Sequence, residues 1–181
     1  MLTDNWNKLI QAGAPMRNLA PDFDFTRTVK TISYVTKTTG KEKIISKATQ
    51  LEMWEELLEY KPSEEDAPII CISAPGHDRL PIRLAVDLMS HYIDNNARVK
   101  WHILGSGYRY KSELVYNTDV LFISNVVATS TQHRLELLRD VVSMNHRALR
   151  VIITAGWNAM ELAQHTALPM NGVIHLGGLR K

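Results

Sequence analysis

From residue 68 to residue 177 the chain alternates short, continuous apolar runs with amphipathic stretches, and few folds accommodate that rhythm. PIICIS (68–73), VKWHIL (99–104), DVLFISNVV (119–127), LRVIITA (149–155) and GVIHLG (172–177) read as strands. Runs without a polar alternation suit strands covered on both faces. Between them, LPIRLAVDLMSHYIDN (80–95) sets Leu84, Leu88 and Tyr92 on one stripe beside Ala85, Met89 and Ile93. TQHRLELLRDVVSMN (131–145) turns Leu135, Leu138, Val141 and Val142 inward, and WNAMELAQHT (157–166) is a third helix. Strands alternating with helices over short connections predict a three-layer α/β domain built on a mostly parallel, five-stranded sheet.

The amino-terminal third is written differently. The first 25 residues, with Gly13, Pro15 and Pro21 among scattered apolar groups, read as loosely structured. Around Val29, Ile32, Tyr34 and Val35 the stretch 26–47 alternates apolar with polar, and Gly40 precedes a second apolar pair; a short hairpin, an extended arm and a linker all remain open. ATQLEMWEELLEY (48–60) places Leu51, Trp54, Leu57 and Leu58 at helical spacing, and Pro62 stops the helix. The acidic connector SEEDAP then marks a boundary near residue 65, dividing the chain into an arm with its helix (1–65) and an α/β domain (66–181).

Charge is segregated along this plan. Residues 1–50 carry eight Lys/Arg against four acids, residues 51–70 one against seven, and the remainder twelve against eight, for a net charge of +2. A basic segment beside an acidic one suits a nucleic-acid contact, an arm docked on its own chain, or simply a solvated surface. No apolar stretch reaches the length of a membrane span, and MLTDNWNKLIQAGAP lacks the apolar core of a signal peptide. The single cysteine, Cys71, precludes an internal disulfide. These features predict a cytoplasmic protein with no membrane partner.

In open parallel sheets, ligands bind beyond the carboxyl ends of strands, so the loop after the first run, SAPGHDRL (73–80), is the first place to look. It resembles a degraded AAA+ form of the P-loop. Pro75 and Gly76 match the central Pro-Gly, Ser73 stands at the first glycine, Asp78 at the last, Arg79 at the lysine and Leu80 at the Ser/Thr. A working loop needs a Lys for the β/γ charge and a hydroxyl for Mg²⁺. Leu80 supplies no oxygen, and Asp78 sets an anion where phosphates would lie. In the third strand Ser124 and Asn125 occupy the positions of the metal-holding acid pair, while Thr154 resembles the polar group of the family's sensor strand.

With the order of elements over 66–177, these residues make the chain resemble the DnaC/IstB-like helicase-loader group of P-loop, RecA-like ATPases. The resemblance implies a site at Gly76, His77, Asp78 and Arg79 unfit for ATP–Mg²⁺, with no cofactor and no catalytic residue. A plain tight turn with an Asp cap explains the same loop.

Tyr108, Arg109, Tyr110 and Lys111 interleave aromatic rings with cations, a pattern suited to single-stranded DNA, and the resemblance puts this region near a DNA path; a surface loop packed on the sheet edge is the plainer alternative. Leu51, Trp54 and Leu58 would anchor the 48–60 helix in a protein partner's groove, unless that helix merely covers the sheet. The seven histidines include no H-x-x-x-H pair, which argues against a metal. The leading expectation is a non-hydrolysing accessory protein, able to form homo-oligomers, that binds DNA or partner proteins in replication, recombination or a mobile-element process. Alternatives are a Rossmann-like nucleotide- or methyl-donor-dependent enzyme using Gly105–Gly107, and a structural assembly subunit.

Overall fold

A computed structural model describes residues 4–17, 19, 31–36, 42–45, 69–77, 79–105, 111–127, 130–170 and 172–177. The helix expected over 48–60, with Leu51, Trp54 and Leu58, and the boundary near 65 lie outside the described residues. Within them the strands are β1 (Thr31–Thr36), β2 (Glu42–Ile45), β3 (Ile69–Ser73), β4 (Val99–Ile103), β5 (Val120–Val126), β6 (Arg150–Ala155) and β7 (Gly172–Gly177). The helices are α1 (Trp6–Gln11), α2 (Arg79–Asp94), α3 (Gln132–Met144) and α4 (Ala159–Thr166), with a 3₁₀ turn at Lys111–Leu114. Every strand and helix expected after residue 68 is present, its ends shifted by two residues or fewer. The inward stripes are those the spacing predicts: Leu84, Ala85, Leu88 and Met89 on α2, and Leu135, Leu138, Val141 and Val142 on α3, are buried.

The sheet departs from the expected five parallel strands. It has seven strands in the order β2-β1-β7-β3-β6-β5-β4 and is mixed. Strands β3 to β7 pair in parallel, whereas β1 lies antiparallel to β7, with Ile32 opposite Leu176, and β2 lies antiparallel to β1. Of the readings left open for 26–47, the hairpin is the one formed, and it extends the sheet from β7. The reason is an otherwise bare edge: without β1, one side of β7 would leave its backbone N–H and C=O groups unpaired.

The apolar runs are explained by cover on both faces. Ile70, Ile72, Phe122, Ile152 and Ile174 pack with α1 and α2 in one core cluster. Cys71, Leu121, Ile123, Val151 and Ile153 pack with α3 and α4 in the other. All five residues of β3 are buried. Burial pushes the Cys71 thiol up to about 12, so it behaves as a small apolar side chain. The Phe122 ring stacks on Trp101 at 5.3 Å and meets Tyr92 edge-on at 6.2 Å. A phenyl ring buried this fully contributes on the order of 2–3 kcal/mol of transfer free energy.

The loose reading of the first 25 residues is corrected in part. A six-residue helix is marginal alone, so α1 depends on tertiary contacts. Leu9 is fully buried, and the Asn5 amide donates to the Ser90 carbonyl (3.2 Å), the Ser90 hydroxyl (2.9 Å) and the Asp94 carboxylate (2.8 Å) on α2. The Trp101 backbone N–H then donates to the Ala12 carbonyl at 2.8 Å. Gly13 permits this approach: its φ is +90°, and a Cβ there would come within 3.0 Å of the Trp101 carbonyl oxygen.

Candidate functional site

From β3 the chain passes through α2 to β4, at the far edge of the sheet; from β6 it passes through α4 back over β3 to β7. The direction of winding therefore reverses between β3 and β6, where parallel sheets commonly hold ligands. In this chain that crevice is stitched shut. The Ala74 N–H donates to the Ala155 carbonyl (3.2 Å) and the Gly76 N–H to the Gly156 carbonyl (3.3 Å). The Ser73 hydroxyl donates to the Trp157 carbonyl at 2.7 Å.

The loop itself is a type II turn. The His77 N–H donates to the Ala74 carbonyl at 2.9 Å, Pro75 fixes the second position, and Gly76 takes the third with φ +79°. A Cβ on Gly76 would meet no protein atom within 4 Å. The glycine thus answers a backbone requirement rather than a close approach. Residues 74–77 form a tight turn, while the Asp78 cap of the plain-turn alternative for 74–81 lies outside the described residues. Gly76, His77 and Arg79 are exposed on this turn and at the start of α2, whereas Asp78 lies outside the described residues. A phosphate cradle needs N–H groups free to face the ligand; those of Gly76 and His77 are spent on carbonyls.

One strand further along, groups are left over. A cavity of about 350 Å³ lies at the carboxyl ends of β4, β5 and β6, bounded by Ile103, Ser124, Asn125, Thr154, Gly156 and Ile82 of α2, with Pro15, Val126 and Val127 completing it. Ser124 and Thr154 are buried hydroxyls from adjacent strands. The Ser124 oxygen accepts the Trp101 indole N–H at 2.9 Å, and the Thr154 hydroxyl makes only a 3.4 Å contact with the Ile123 carbonyl. The ladder between β5 and β6 shifts register between Ile123 and Val126, and Asn125 in that irregularity has φ +70°. Its amide nitrogen donates to the Leu104 carbonyl at 2.8 Å. Bulges of this kind re-aim a side chain beside a site. Ser124, Asn125 and Thr154 are each singled out in the sequence by the P-loop resemblance. Pro15, Ile82 and Ile103 are not, because no local pattern marks an apolar cavity wall.

On the opposite face of β4, the buried His102 ring lies 2.7 Å from the Tyr116 hydroxyl. Burial lowers the imidazole below its ordinary range and raises the phenol above its own. At the amino-terminal ends of β4 and β5, Arg98 donates to Asp119 at 2.7 Å and holds that carboxyl below the usual range. Among the described residues no group of three His, Cys, Asp or Glu could hold a metal ion, and no helix is long and apolar enough to cross a membrane.

The remaining sequence candidates are not brought to the cavity by described atoms. Tyr108, Arg109 and Tyr110 lie outside the described residues; Lys111 opens the 3₁₀ turn, its side chain undescribed. Gly105, φ +82°, lies against the Arg134 guanidinium, 3.3 Å from where a Cβ would be, and Ser106 and Gly107 are outside the described residues. The sequence matches no protein-family model, and no curated protein matches it.

Proposed function

We propose that this chain is a non-hydrolysing relative of the P-loop, AAA+-like ATPases, a three-layer RecA-like scaffold that binds partner proteins and single-stranded DNA in replication, recombination or a mobile-element process. Counting β3 as the first strand, the five parallel strands lie in the order 5-1-4-3-2, which is the RecA-like order and supports this reading of the fold. The observation that carries the functional reading is the state of the β3–α2 turn. Among the described residues its Gly76 and His77 amides lie on carbonyls and neutral Ser124 and Asn125 stand at the acid positions, which supports a turn unsuited to a phosphate or Mg²⁺.

A fold without hydrolysis still serves as a platform. The basic, tyrosine-bearing stretch 108–111 follows β4 in the sequence, and its composition suits a single strand better than a duplex. The test is a pair of measurements on the full chain. ATP–Mg²⁺ leaves the melting temperature unchanged. A labelled single-stranded oligonucleotide binds with an affinity that falls as salt rises, and Arg109→Ala with Lys111→Ala flattens that salt slope by roughly 0.7 for each phosphate left without its cation. Magnesium-dependent ATP binding with turnover overturns the reading, as does a salt slope the double variant leaves untouched.

A further inference from the structure

We propose that the cavity at the ends of β4, β5 and β6 binds one uncharged nucleobase ring, from an unstacked position in single-stranded nucleic acid or from a free nucleoside. The proposal deepens the function above and rests on it for the first of those sources. Its volume of about 350 Å³ is roughly a dozen water volumes, enough for a base.

The lining matches that chemistry. Ile82, Ile103, Pro15 and Val127 are apolar, Ser124, Thr154 and Asn125 are polar and neutral, and none of the described lining residues is ionisable. Among the described lining residues there is no cation to replace the hydration a phosphate would lose there, whereas a neutral ring gives up little. Pockets that select small molecules combine such apolar walls with a few converging polar groups.

Each of those polar groups has one hydrogen-bond partner and keeps further capacity. Only the Asn125 nitrogen can donate to the Leu104 carbonyl, which assigns the amide orientation. Its Oδ1 therefore remains an acceptor, and no donor among the described residues reaches it. Among the described residues the Thr154 hydroxyl has only its 3.4 Å contact, and it can turn toward a ligand. Ser124 accepts from Trp101 and keeps its own proton to donate. One acceptor beside two hydroxyls complements a base edge, where donors and acceptors alternate.

The test uses the full chain in two arms. In the first, adenosine and thymidine are titrated separately and followed by NMR shifts of the cavity residues. At least one binds, and Thr154→Val, nearly isosteric, weakens it about tenfold, the loss expected for one hydrogen bond. Asn125→Gly, which suits the left-handed backbone, gives a similar loss and guards against a folding defect in the first variant. In the second arm, a single-stranded oligonucleotide is compared with the same strand carrying abasic positions. If the intact strand binds about tenfold tighter at an equal salt slope, and Thr154→Val erases the difference, the base of a strand is the occupant. If nucleosides bind and the strand does not, the cavity assignment stands and the DNA-binding function falls. If the strand binds equally with and without bases and neither nucleoside shifts the cavity, the assignment is overturned while the DNA-binding function survives. If nothing binds in either arm, both fall.

Discussion

Two neighbouring crevices at the carboxyl ends of the parallel strands have opposite fates. Between β3 and β6, where the winding reverses, backbone amides of residues 74, 76 and 77 all end on carbonyls, and the crevice is closed by the loop that would have opened it. Between β5 and its neighbours, Thr154, Ser124 and Asn125 keep hydrogen-bonding capacity around an open cavity. Among the described residues the 74–77 turn therefore keeps fewer free hydrogen-bonding groups than the cavity does. Topology selects the carboxyl ends of the strands, but which strand end can bind is decided by which polar groups folding leaves unsatisfied.

The largest effect that would sharpen this contrast comes from Ser124→Ala. Ser124 and Trp101 are both almost fully buried, and the indole N–H has the serine oxygen as its acceptor. Removing that oxygen strands a buried donor and costs about 1–3 kcal/mol, measured by urea denaturation. A loss below about 0.5 kcal/mol would show that Ser124 is not holding the cavity floor, and the hydroxyl would then count wholly as a ligand group.

Gly76→Ala comes next. At φ +79° an L-residue costs roughly 1–2 kcal/mol, and open space around the position adds no clash. The variant should lose about that much stability while leaving oligonucleotide affinity unchanged. The reverse pattern, full stability with altered binding, would restore the turn as the working site and break the comparison.

Those two residues also show what was legible in the sequence. Pro75-Gly76 announces a type II turn because its backbone requirements are local. The continuous runs of β3, β5 and β6 announce buried strands, since cover on both faces removes the polar alternation. Local rules end there. Six residues of α1 carry only Leu9 as a buried side chain, and what fixes them is Asn5 reaching α2 across more than eighty positions. The pairing of β1 with β7 is similarly distant, with Ile32 facing Leu176. Ser124, Asn125 and Thr154 could be singled out one at a time, but their meeting in one cavity depends on β5 and β6 being neighbours, and neither strand encodes that alone.

The smallest expected effect concerns charge. The described cavity lining is neutral, and the buried His102 ring lies behind it on the other face of β4. Burial holds that imidazole below its ordinary 6.5, so on acidification the unfolded chain takes up the proton first. The sign follows: stability is full above about pH 6.5 and falls as the pH drops through 6.5 toward the folded-state value. Urea midpoints compared at about pH 7.5 and about pH 5.5 should differ less in His102→Gln than in the wild type, because the other histidines contribute equally to both chains. An unchanged difference would mean that His102 already accepts its proton in the folded state beside Tyr116. The edge of the sheet would then tolerate a cation directly behind Ile103, and the case for a cavity reserved for uncharged rings would weaken with it.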